Sequence, residues 1–244
     1  MDYVSRFKRD CHSQYLADIR REVPLFPRRY VYPDGNPIRP VLPVQAEPRD
    51  VMVIGAFPSA RFEFREGRLI PIGDNLSPFG PEEYFDGRQV RVQESAKSLR
   101  ESYLEPLGLN PEDLWITDIV KVYLYPEKHL ANCRSLFPRK TFVNTHRLFP
   151  ALAWASRSWF LRELQTCNPR IVITLGEVCA RVIGLDKSSQ SKELLDGRAR
   201  ELAGERPVKV IHLAHPEIRR RDPEWDRRTR TQIARLAPQL RRLV

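Results

Sequence analysis

Four short apolar runs constrain the fold of this chain more than any other feature. They are "VMVIG" from Val51, "LWITDIV" from Leu114, "RIVITLG" from Arg170 and "VKVIHLA" from Val208. The runs lack alternating polar residues, which indicates strands buried on both faces in a parallel sheet. Helical patterns fall between and after them: "VQESAKSLRESYLEPLG", "FPALAWASRSWFLRELQ", "GEVCARVIG" and Trp225 to Arg242. The order predicts a three-layer α/β/α fold with a central parallel sheet of about four strands.

The remaining segments divide the chain into a flank and a main domain. The first 23 residues read as an amphipathic helix, and residues 24–50 hold many prolines and are predicted to form an extended wrap. We therefore predict a flank over 1–50 and an α/β domain over 51–244. Ser59 to Arg91 and Tyr123 to Phe149 are predicted to be long irregular stretches. Long loops at strand ends favour a ligand site at that edge of the sheet.

Charge narrows the class of partner. The chain has 244 residues, with 41 Lys plus Arg against 31 Asp plus Glu, a net charge of +10. This excess favours a polyanion such as DNA or RNA, although an arginine-rich proteome would give the same balance. No apolar run is long enough for a membrane span and no signal segment opens the chain, so we expect a cytoplasmic protein, away from membranes and monomeric. Four cysteines without a CxxC pair indicate buried thiols, and we predict neither metal nor cofactor.

Two corners follow the first and last strands. Gly55-Ala-Phe-Pro-Ser59 combines a glycine, which permits a sharp turn, with a proline that stiffens it. "HLAHP", from His212 to Pro216, leads into the arginines Arg219, Arg220 and Arg221. Neither GxGxxG nor a P-loop lysine is present, so a nucleotide fingerprint is excluded.

With these corners in order, the chain resembles the uracil-DNA glycosylase superfamily. The motifs here are "VMVIGAFPS", "WITDIVK", "IVITLGEVCARVIG" and "VIHLAHP", and "SPFG" at Ser77 to Gly80 is similar to the family's Pro-Phe-Gly. The resemblance covers roughly Val51 to Ile218. It implies a DNA glycosylase that flips a damaged or deaminated base, uracil or a related one, out of duplex or single-stranded DNA and cleaves its N-glycosidic bond during base excision repair.

Roles for individual residues follow from this resemblance. His215 is expected to donate to the departing base, or else to cap backbone groups. Phe79 is expected to stack on the base, with Phe57 and Phe85 as competitors, or else to pack in the core. Asp74 is expected to position water, or else to cap a turn. His212, three residues before His215 on an extended strand, faces the opposite way and is predicted to be a core histidine. The pocket is expected to include Gly55, Ala56, Phe57, Pro58 and Asp118. Contacts to the DNA backbone or duplex are expected from Ser59, Arg61, Ile218, Arg219, Arg220 and Arg221.

The chain departs from the family pattern at four places. Ala56 and Phe57 stand where active relatives carry Asp, Asn or Glu, and Glu217 replaces the serine after His-Pro. Val122 replaces a cysteine, so the iron–sulfur cluster of one branch is not expected. Asp118 replaces the asparagine that reads uracil: an ionised carboxylate favours a base with an amino group, a protonated one does not, and pairing with Lys121 or exposure to solvent is the alternative.

These departures leave two other functions open. One is a DNA-binding module with the same fold and weak or no turnover. The other is a small-molecule α/β hydrolase, which the missing G-x-S-x-G elbow disfavours.

Overall fold

The computed structural model describes residues 2–202 and 207–240. Its strands are β1 Val51–Gly55, β2 Ala60–Arg65, β3 Arg68–Asp74, β4 Glu83–Phe85, β5 Val90–Val92, β6 Leu114–Asp118, β7 Ile171–Leu175, β8 Ala199–Leu202 and β9 Val208–Leu213. Its α-helices are α1 Tyr3–Glu22, α2 Glu94–Leu99, α3 Glu105–Leu107, α4 Glu127–Leu136, α5 Phe149–Ala155, α6 Arg157–Cys167, α7 Glu177–Gly184, α8 Ser191–Leu194, α9 Pro216–Arg221 and α10 Pro223–Leu240.

The central sheet has the strand order β6-β1-β7-β9-β8. The four apolar runs form the parallel strands β6, β1, β7 and β9, and β8 pairs antiparallel with β9 at the edge. The predicted α/β/α fold is confirmed, with a fifth strand added. The sequence pattern missed β8 because its residues are half-buried or exposed, as an edge strand allows, rather than continuously apolar.

Alternate residues of each strand enter two separate cores. Met52 and Ile54 pack in one core with α1, α5, α6 and α7, whereas Val51 and Val53 pack in the other with α2, α3 and α10. This division follows from the two-residue period of a strand, and it explains why the runs lack a regular alternation of apolar and polar residues. The helices cover both faces of the sheet, so its carboxyl edge is the open side.

The predicted helix over "VQESAKSLRESYLEPLG" contains a π turn. Residues Arg100–Leu104 form five π-helical residues between α2 and α3. The hydroxyl of Tyr103 donates to the carbonyl of Ala214 at 2.7 Å, and the carbonyl of Ser102 accepts from the Arg219 guanidinium at 2.8 Å. The π turn therefore fastens this helix to the segment that carries the His-Pro corner.

The stretches predicted to be irregular are partly regular, so those predictions are wrong. Residues 60–92 form two antiparallel hairpins, β2–β3 and β4–β5, and residues 127–136 form α4. The strands of these hairpins are short and mixed in composition, so they give weak periodic signals. They are stabilised by packing against one another rather than by a continuous apolar run.

The first 50 residues pack onto the same body. Five residues of α1 are buried at helical spacing: Val4, Phe7, Cys11, Tyr15 and Ile19. The proline-rich segment is more than a surface wrap, because Tyr30, Tyr32 and Ile38 are also buried. The predicted last helix is present as α10, while Arg242 lies outside the described residues. None of the helices in the described ranges has the length and apolarity needed to cross a membrane.

Candidate active site

A cleft of about 870 Å³ opens at the carboxyl edge of the parallel strands. Parallel strands end at the same edge, so residues far apart in sequence meet there. The cleft is lined by Asp118 and Phe79 and by both corners found in the sequence: Ala56, Phe57, Pro58 and Ser59 from the first, and His215, Glu217, Ile218, Arg220 and Arg221 from the second. The long hairpins and α4 extend its other wall.

Asp118 ends β6 and is buried against the cleft without a partner. It is 1% exposed, and neither of its carboxylate oxygens has a hydrogen bond. The expected alternative of pairing with Lys121 is wrong, because the Lys121 ammonium contacts Glu163 and the backbone carbonyl of Asp118 instead. Burial raises the pKa of Asp118 to about 7, an effect that Lys121 opposes and Glu163 reinforces. A buried carboxyl without a hydrogen-bond partner lowers the stability of the folded protein. Its oxygens are therefore available to a polar group of a ligand.

The ring of Phe79 and the carboxylate of Asp118 both lie directly against Gly55. A Cβ placed on Gly55 would lie 2.3 Å from Asp118 Oδ1 and 2.3 Å from Phe79 Cε2, so only glycine fits beneath both groups. Gly55 itself is covered and lies outside the cleft lining. Phe79 has φ 53°, a left-handed conformation that is rare for an aromatic residue and that clusters at functional sites. A flat ligand ring stacked on the Phe79 side chain would thus present its edge to Asp118.

His215 lines the cleft and caps α9. Its Nδ1 accepts the backbone N–H of Glu217 at 3.2 Å. Burial lowers the pKa of His215, so the ring is neutral and the proton resides on Nε2. The cap and the donor roles are therefore compatible: one nitrogen serves the helix, and the other is free to donate. Gly176 has φ +98°, and a Cβ placed on it would lie 3.3 Å from the His215 Cβ, so glycine suits this position.

His212 lies in the core. It is 2% exposed, and its Nδ1 is 2.7 Å from Thr174 Oγ1 across the β7–β9 pair. Burial lowers the pKa of His212 to about 4. This buried neutral ring is structural.

The three consecutive arginines differ in role, and the prediction that all contact DNA is wrong for Arg219. Arg219 is 7% exposed, bonds Asp226 and Ser102, and stacks over the Tyr103 ring. Arg220 and Arg221 line the cleft, paired with the exposed Glu94 and Glu217. A short helix turns one arginine of the three inward. Ile218, 39% exposed, also lines the cleft.

Two other predicted residues lie away from the cleft. Asp74 Oδ1 accepts from the Tyr32 hydroxyl at 2.7 Å and from the Arg39 backbone, and Asp74 is not among the lining residues. Its expected contact with catalytic water is therefore wrong, because it holds the proline-rich segment. Arg61, in β2, is likewise absent from the lining, whereas Ser59 is present.

Cysteine and other potential metal-ligating side chains do not form a metal site among the residues that the structure describes. No group of three or more His, Cys, Asp and Glu side chains is placed to hold a metal ion. The four thiols lie apart, in α1, α4, α6 and α7, and all are buried, which raises the pKa of each. These residues do not fit an iron–sulfur cluster.

Sequence reasoning missed much of the wall opposite the corners. Glu177 and Cys179 follow the "LG" motif directly and could have been inferred from it. The aromatic residues Phe62, Tyr84, His129, His146 and Phe149 also line the cleft. Apart from Phe149, which begins a predicted helix, they lie in the stretches that were predicted to be irregular, so no strand or helix assignment brought them to this edge.

The fold and the cleft define an α/β protein with an open cleft at the carboxyl edge of a parallel sheet, between a glycine corner and a His-Pro corner. The family model described as Uracil DNA glycosylase superfamily matches residues 44–237. The chain therefore belongs to the uracil-DNA glycosylase superfamily, whose members act on DNA. No curated protein matches it significantly. Membership supports a glycosylase type of function in the hydrolase class.

Proposed function

We propose that this protein is a DNA glycosylase that receives a flipped, deaminated or damaged base in the cleft and cleaves its N-glycosidic bond. The observation that carries the proposal is Asp118: a buried carboxyl with two unpaired oxygens beside the ring of Phe79. A base stacked on Phe79 would satisfy those oxygens, which nothing in the described residues does.

We further propose that Asp118 reads the base edge in its neutral form. A protonated carboxyl offers one donor and one acceptor, the same pair that an asparagine amide offers to uracil. Because burial raises the pKa of Asp118 to about 7, the neutral form is well populated at neutral pH. The ionised form accepts only, and it would suit a base that presents an amino group.

In the proposed reaction the bond between C1′ and the base nitrogen breaks, and its electron pair leaves with the base. The Nε2 proton of His215 would stabilise negative charge on the carbonyl oxygen of the leaving base. A water oxygen bonds to C1′ and releases a proton to solvent. Ile218 would fill the gap left by the flipped base, and Arg220, Arg221 and Ser59 would contact phosphates.

A second candidate function is a DNA-binding module with little turnover. One specific observation favours it: apart from Asp118, which is assigned to reading the base, every described carboxyl that lines the cleft is already paired. Glu94 and Glu217 are paired with Arg220 and Arg221. Glu177 is bonded to Arg181 and Ser191, Asp74 lies outside the cleft, and the first corner has Ala56 and Phe57. We also propose a cytoplasmic monomer.

A panel of oligonucleotides, each carrying one lesion and offered as single strands and duplexes, separates the two functions. Abasic products are cleaved with alkali and measured under single-turnover conditions. Excision of one or more bases supports the glycosylase. Tight binding without excision on every lesion would leave only the binding module, and neither binding nor excision would reject both.

A further inference from the structure

The base pocket uses only one part of the cleft. Beyond the first corner, the cleft continues into a region walled by seven rings, which we call the aromatic chamber: Phe57, Phe62, Tyr84, Tyr123, His129, His146 and Phe149. At about 870 Å³ the whole cleft is near the upper end of the range for small-molecule sites, so it exceeds the needs of one base.

Six of the seven chamber rings pack against their neighbours without being fully buried, whereas Tyr123 is 2% exposed. Phe62 lies 4.9 Å from His129 and 5.9 Å from Tyr84 between ring centroids, and Phe57 lies 5.1 Å from Phe149. Phe57, Phe62 and Tyr84 are only half-buried. Aromatic surface left open to a cleft is typical of a site for a flat ligand.

The electrostatics of the chamber suit a nucleic-acid strand. The acidic residues that line the cleft are Glu94, Asp118, Glu177 and Glu217, and all belong to the part around the two corners. Lys128 is exposed at the edge of the chamber. Burial lowers the pKa of His129 to about 4, and its Nδ1 is 2.6 Å from the Tyr123 hydroxyl, so this ring is a fixed, neutral stacking surface.

We propose that the aromatic chamber binds a second unpaired nucleobase, the neighbour of the target base on the same strand. The inference rests on the proposed function, because the target base occupies the pocket at Asp118. Stacking on aromatic side chains tolerates any base and commonly changes affinity about tenfold or more per base. In a duplex this neighbour must also leave its pair and its stack, so the chamber favours single-stranded DNA.

The test measures anisotropy of labelled single strands that carry one central uracil. In separate strands the 5′ or the 3′ neighbour is replaced by an abasic residue. Wild type is expected to bind about tenfold more weakly when one of the two neighbours loses its base. Phe62→Ala and Tyr84→Ala are expected to weaken binding of the intact strand about tenfold and to show no further loss with the abasic neighbour. Phe85→Ala is the matched control, since Phe85 lies on the same hairpin as Tyr84, is 50% exposed and is outside the cleft lining.

Equal binding of intact and neighbour-abasic strands by wild type would overturn the inference without any variant. So would variants that weaken both strands equally, with thermal melting used to confirm that each variant is folded. Excision is measured on the same strands. A neighbour effect without excision would contradict the proposed catalysis and support the chamber, whereas excision without a neighbour effect would contradict the chamber alone.

Discussion

At the scale of single residues, the proposed role of Asp118 would couple base recognition to pH. Its folded pKa is about 7 against an ordinary value of 3.8. If the neutral carboxyl reads uracil, affinity for uracil-containing strands should fall as pH rises through about 7. Asp118→Asn keeps the donor and acceptor at every pH, so it should bind uracil more tightly above pH 7 and lose the pH dependence. Titration of affinity from pH 5.5 to 8.5 measures this, and parallel pH profiles for both proteins would refute it.

Asp118 also affects stability. Because the folded pKa is raised, the folded state holds the proton more tightly than the unfolded state does. The favourable contribution is complete below about pH 4 and is lost as pH rises to about 7. Asp118→Asn should lack this decline. Urea unfolding at several pH values tests the expectation, and a wild-type curve that stays flat over that interval would contradict it.

His215 and His212 form a matched pair for separating catalysis from structure. His215→Ala should lower the single-turnover excision rate on the order of 100-fold, because an oxyanion donor is lost, while DNA affinity changes little. His212→Ala should instead lower the melting temperature, since it leaves a hole and an unpaired Thr174 hydroxyl. Excision by His215→Ala at the wild-type rate would show that the ring only caps α9.

At the scale of elements, Arg219 of α9 joins that helix to the π turn, and the two together hold the His-Pro corner. Arg219→Ala should destabilise the protein by roughly 1–3 kcal/mol, because Asp226, the Ser102 carbonyl and the Tyr103 face all lose a partner. Arg220→Ala, the control, removes an exposed pair and should change stability by less than about 0.5 kcal/mol. Guanidinium unfolding of both variants measures the difference, and equal stabilities would contradict the structural role.

The strands, helices and hairpins differ in how far the sequence predicts them and the site residues that they carry. The parallel strands were predictable because burial on both faces leaves no regular alternation of apolar and polar residues. The ends of these strands then bring Asp118, His215 and the first corner to one edge of the sheet. Arg219 was misassigned because three arginines look alike until a helix turns one inward. Asp74 was misassigned because its partner, Tyr32, is 42 positions away. Phe62 and Tyr84 were missed because the strands of their hairpins have only three to seven residues and carry little periodic signal.

At the scale of the whole molecule, a net charge of +10 favours DNA binding that weakens with salt. The logarithm of DNA affinity should fall linearly with the logarithm of salt concentration, with a slope of about −0.9 for each phosphate neutralised on a duplex. Arg220→Glu with Arg221→Glu should reduce that slope, and Arg198→Glu, at an exposed position in the turn before β8, is the control. Salt-independent binding, or an unchanged slope in the double variant, would place the DNA elsewhere.

The docking of α1 has a consequence for the timing of folding. Tyr15 bonds Ser156 and Asp18 bonds Trp159, in each case across 141 positions of the chain. Ribosomes extend a chain by about 5–20 residues per second, so α1 leaves the exit tunnel on the order of ten seconds before α6 does. Throughout that interval the apolar stripe from Val4 to Ile19 lacks its partner helix. Helix α1 is thus synthesised early but docks late. Until it docks, its apolar face is exposed to chaperones.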